Sequence, residues 1–113
     1  MPGDRPANPL AGEVALALGG QQFLFRPSFA RILAAEAEIG SLLDLAMRAG
    51  EGRVAIKEIA SLLWFCLEPG EIDKPTLQAF GDRILAAGIG QVTPAFRDLL
   101  TVILGGDADP VDA

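Results

Sequence analysis

Apolar and polar positions change period once along the chain, and that change places the elements. Val14, Leu16 and Leu18 alternate with smaller residues, Gly19 and Gly20 follow, and Phe23 and Phe25 alternate back. Alternation on both sides of a Gly-Gly pair predicts a β-hairpin with a two-residue turn. With Gly19 and Gly20 as the loop, Leu18 faces Gln21, Leu16 faces Phe23 and Val14 faces Phe25. One face then collects every large apolar residue of the hairpin except Leu24. A two-stranded hairpin is not stable alone in water, so other elements must cover that face.

Beyond Arg26 the period becomes helical. Pro27 ends the extended stretch, and Ser28 caps a helix carrying Phe29, Ile32, Leu33 and Ala37 that stops near Gly40. Ser41, with Asp44 three residues on, caps a second helix over Leu42 to Ala49, stopped by Gly50. A longer helix is expected from about Val54 to Leu67, ended by Glu68, Pro69 and Gly70. Asp73, with Pro75 in the first turn, opens a helix with Leu77, Phe80 and Ile84 in line. Thr93 and Pro94 start a last helix striped by Phe96, Leu99, Leu100 and Ile103. The class is therefore α+β, an N-terminal β-hairpin packed on four or five short α-helices.

Both ends differ from this middle. Residues 1–10 hold three prolines and read as a flexible leader, and residues 107–113 carry Asp107, Asp109 and Asp112 and read as an acidic disordered tail. Between them, residues 11–106 form a single domain, a size that fits a chain of 113 residues. The net charge is -6, with 9 Lys and Arg against 15 Asp and Glu. Nothing here displaces phosphate counterions, so nucleic acid is not expected as a partner. No apolar run approaches the roughly 20 residues of a membrane helix, and residues 1–10 lack the apolar run of a signal peptide, so no membrane partner and a cytoplasmic location are expected.

The absent residue types restrict the chemistry. There is no His, no Tyr and one cysteine, Cys66, set in an apolar run where it behaves as a small buried hydrophobe. Catalytic triads, imidazole relays and Cys/His zinc sites are excluded. The acids of the Glu68 to Asp73 turn lack the alternation of a calcium loop, and Gly81, Gly88 and Gly90 do not lie between a strand and a helix start. No cofactor, no metal and no catalytic residue is expected, and the protein is not read as an enzyme.

One helix carries the feature that points to binding. At ~100° per residue, Ile56, Ile59, Leu62, Leu63, Cys66 and Leu67 gather on one face, with Lys57, Ser61 and Glu68 opposite. Trp64 and Phe65 fall on that polar side. Two aromatics there either lie beneath another element of the fold or form a partner site. On the second reading Trp64 is the anchor, with Phe65 and Leu24 in the same contact surface.

Gly12 to Gly20, with Glu13, Val14, Leu16 and Leu18, followed by Phe23 to Arg26, Pro27, Ser28 and Phe29, form a recognisable motif. It resembles the tail assembly chaperone family of tailed phages, in the branch found in gene transfer agents. The similarity spans about Gly12 to Gly106. The resemblance implies a bacterial, cytoplasmic protein that shields the tape-measure protein, or another tail protein, during particle assembly. It supplies no catalytic residue. A minor structural part of the tail is the alternative, as is a small interaction domain of another kind, and homo-oligomerisation remains open.

Overall fold

The computed structural model describes residues 12–68 and 74–105. The leader expected over 1–10 and the tail expected over 107–113 lie outside the described residues, as does Asp73. The chain folds as a hairpin of β1 (Val14–Leu18) and β2 (Gln21–Phe25) followed by five helices. These are α1 (Phe29–Ile39), α2 (Leu42–Gly50), α3 (Ile56–Phe65), α4 (Leu77–Ala87) and α5 (Ile89–Gly105). The α+β class and the order of elements are those expected.

The strands pair antiparallel with Val14 opposite Phe25, Leu16 opposite Phe23 and Leu18 opposite Gln21. Gly19 and Gly20 have φ of 60° and 83°. Two consecutive left-handed residues make a turn whose twist matches the strands, which is why the pair is glycine. Val14, Leu16, Leu18, Phe23 and Phe25 are all buried on one face. The open edge of β2 is closed by the segment after α3. Arg26 N–H donates to the Cys66 carbonyl at 2.7 Å, Glu68 N–H donates to the Leu24 carbonyl at 2.8 Å, and Phe25 and Leu67 form a bridge. An edge covered in this way offers no ladder to another chain.

Helix α3 is the centre, packed against α1, α4 and α5, while α4 and α5 also pack on β1. The Phe80 ring meets Phe23 and Phe25 edge to face, with centroids 5.6 and 6.1 Å apart. Burying such a ring stabilises the fold by about 1.5–3 kcal/mol. Phe80, Ile84, Val92 and Leu99 are sealed completely. The caps of α1 and α2 are those expected: Ser28 Oγ accepts from Arg31 N–H at 3.2 Å and Ser41 Oγ from Asp44 N–H at 3.1 Å.

Six local expectations are corrected. Helix α2 runs through Gly50, and the left-handed residue that ends the turn is Gly52. Helix α3 is shorter than 54–67 at both ends: it starts at Ile56 behind the Ala55 cap, and at its other end residues 66–68 pair with β2. Pro75 precedes α4, whose cap is Thr76, with Oγ1 accepting from Ala79 N–H at 3.1 Å. Helix α5 begins at Ile89, directly after Gly88 at φ 98°, so Pro94 lies inside it. There the ring removes one backbone donor near the helix start, a loss that the buried Val92, Ala95 and Phe96 around it offset. Ser61, expected on the polar face of α3, is fully buried, and Ile56, expected on the inner face, is 50% exposed.

Candidate functional site

Helix α1 has two apolar stripes, and the domain uses one. Ile32, Ala35 and Ile39 turn inward, with Ala35 fully buried. Phe29 and Leu33, named from the sequence with Ile32 as apolar residues of this helix, are 78% and 52% exposed. Ala30, Ala34 and Ala37 are exposed as well. Positions 29, 30, 33, 34 and 37 share one half of a helical wheel, so the outer half of α1 is apolar, with Glu36 and Glu38 at its two edges. Helix α2 repeats the arrangement on one turn, with Leu43 and Met47 67% and 71% exposed.

The outer half of α1 leads into a groove of about 360 Å³ lined by Ala30, Arg31, Ala34, Phe65, Leu67 and Lys74. The wall is fixed by Arg31, whose Nη1 donates to the Arg26 carbonyl at 2.7 Å and to Glu68 Oε1 at 3.0 Å. This ties the first turn of α1 to the segment that closes β2. Across the groove the Lys74 ammonium stands 3.9 Å from the Trp64 ring centroid. Burial, with the Arg31 charge adding to it, holds the Lys74 pKa below its ordinary value.

Two of the three expected contact residues meet here. Phe65 lines the groove, and Trp64 stacks edge to face on Phe65 with centroids 5.1 Å apart. Both are half-buried. The Trp64 indole N–H donates to the Pro75 carbonyl at 2.8 Å, so the start of the α4 cap region covers one edge of the ring. Leu24 sits on the outer face of β2, opposite Ala15 and half-buried, and is not among the groove-lining residues. The residues missed from sequence are Phe29, Leu33, Leu43 and Met47. The only signal for them was the excess of apolar positions on α1 and α2 over what one inward face of each helix needs.

The arrangement offers apolar contact and positive charge. Cys66 is fully buried, and burial pushes its thiol up to about 11, which keeps it protonated at neutral pH. Among the described residues no group of three or more His, Cys, Asp or Glu could hold a metal ion. No described helix is long and apolar enough to cross a membrane.

Comparison with curated proteins and with solved structures gives no match. A family model described as "Phage tail tube protein, GTA-gp10" matches residues 11–106, the hairpin and all five helices. The chain therefore belongs to this family of phage and gene transfer agent tail proteins.

Proposed function

We propose that the protein acts in tail morphogenesis by binding other tail proteins, without catalysis, and that it serves as an assembly chaperone for the tape-measure protein. The observation that carries this is the bare outer half of α1, where Phe29 is 78% exposed and leads into the Phe65 groove. Apolar side chains of this size on consecutive turns mark a protein-binding face. A shallow surface of this kind suits a client that must be held and released, and a net charge of -6 keeps the loaded complex soluble. The work is done in the cytoplasm of the bacterial host while the particle is built.

The family description favours a second reading, in which the protein stays in the tail as a structural component. Two measurements separate them. Co-expression with a tape-measure fragment should yield a complex that the double substitution Phe29→Asp and Leu33→Asp reduces at least about tenfold, with the far-UV circular dichroism unchanged. Failure of the unaltered chain to form that complex removes the chaperone role. Mass spectrometry of purified particles should not find the protein; stoichiometric amounts there establish the structural reading.

A further inference from the structure

Resting on the reading that this protein binds other tail proteins, we propose that the α1–α3 groove selects an acidic amphipathic helix, one whose apolar side chains are flanked by carboxylates. Net charge alone predicts the opposite preference, since the chain carries -6. The groove departs from that average. Its described lining holds two cations, Arg31 and Lys74, and no carboxylate. Arg31 is already ion-paired, its Nη1 donating to Glu68 Oε1 at 3.0 Å and to the Arg26 carbonyl at 2.7 Å, but among the described residues its Nε and Nη2 donors have no partner and can still reach a second carboxylate. Lys74 pairs with the Trp64 ring and with no carboxylate among the described residues.

The form of the occupant follows from the walls. Side chains of α1 and of the end of α3 line the groove, and the nearby edge of β2 is closed by Leu67 and Glu68. An incoming strand therefore finds no backbone ladder to extend, whereas a helix can lay apolar side chains between Phe65 and the outer face of α1. Ala30 and Ala34, one turn apart, bring the surface of α1 close enough for such packing. Carboxylates beside that stripe then meet Arg31 and Lys74 at the rim, with only part of their hydration lost.

The test uses the full chain and two fluorescent synthetic helices with the same leucine stripe, one flanked by Glu and one by Lys. Fluorescence anisotropy at low salt should show the Glu-flanked helix binding about three- to tenfold more tightly, with the preference lost at high salt. Lys74→Glu should reverse the preference. Ala34→Gln, at an exposed site, should weaken both helices equally by occupying the groove. The proposal is overturned by equal affinity, by no binding of either helix, by a preference that survives Lys74→Glu, or by Ala34→Gln leaving both affinities intact. It also falls if removing residues 106–113 tightens the Glu-flanked complex, because the chain's own carboxylates are then the occupant. A tape-measure complex that forms without any charge preference keeps the proposed function and discards this groove assignment. A charge preference without such a complex does the reverse.

Discussion

Helices α1 and α3 are built from similar material and meet opposite fates. α1 reads FARILAAEAEI and buries one residue, Ala35; α3 reads IKEIASLLWF and buries five in a row, from Ile59 to Leu63. Five consecutive buried positions cannot belong to a one-sided helix, so α3 is enclosed on several sides. The neighbours explain it: α3 packs against α1, α4 and α5, while α1 has α3 on one side and solvent on the other. Apolar composition decides that both are helices of a core. Place in the stack decides which one keeps a free face, and that free face is where the protein can meet a partner.

The strongest way to break this comparison is to truncate one ring on each side of it. Phe80 is fully buried against Phe23 and Phe25, and Phe80→Ala should cost about 3–5 kcal/mol. That is a large part of the roughly 5–15 kcal/mol a domain of this size possesses. Phe29→Ala removes the same ring from the exposed side and should change stability by no more than about 0.5 kcal/mol. Urea unfolding followed by circular dichroism measures both. Equal losses would mean that the outer face of α1 is part of the core.

An intermediate effect is expected where α2 hands over to α3. Arg48 donates from Nη1 to Glu58 Oε1 at 3.0 Å and from Nη2 to Oε2 at 2.6 Å, while its Nε reaches Asp44 Oδ2 at 3.0 Å. Glu58 Oε1 also accepts from Ala55 N–H at 2.8 Å, capping α3 where the sequence supplies no Ser or Thr. The hydrogen bonds from Arg48 hold the Glu58 carboxyl below its ordinary 4.5. Its contribution is therefore full above pH 4.5 and disappears as pH falls through the lowered native value. Glu58→Gln should lower Tm at pH 7, and the gap to the unaltered protein should close in acid. A gap that stays constant into acid would show that the pair contributes packing and not charge.

How much of this was legible follows the range of the forces. The hairpin register was readable to the residue, because a Gly-Gly turn and alternation on either side are local. Ser28 and Ser41 were readable as caps for the same reason. The orientation of α1 was not: Ile32 and Leu33 are adjacent in sequence and equally apolar, and only the position of α3 selects the first. Pro94 marked a helix start by local rule, yet burial of its neighbours carries α5 across it. Trp64 and Phe65 stood out as aromatics off the main stripe, and the structure puts both beside the groove. The family resemblance reached the tail proteins of phages and gene transfer agents, a level the matched family supports. The narrower chaperone role rests on the surface described above and on its test.

One further predicted effect is small and has the opposite sign to the others. Ser61 is fully buried in α3, and among the described residues its hydroxyl has no hydrogen-bond partner. A polar group left unsatisfied in the interior costs about 1–3 kcal/mol, whereas removing one oxygen leaves a void smaller than a methyl group. Ala also has the higher helix propensity. Ser61→Ala should therefore leave stability unchanged or raise it by up to about 1 kcal/mol, read as a higher urea midpoint with an unchanged m-value. Ser61→Leu, which adds bulk at the same enclosed position, should cost about 1–3 kcal/mol by overpacking. If α3 were one-sided, with Ser61 on a solvent face, both substitutions would be nearly neutral. Their separation in sign thus measures how completely α3 is enclosed, and so how firmly the free surface of the domain is assigned to α1.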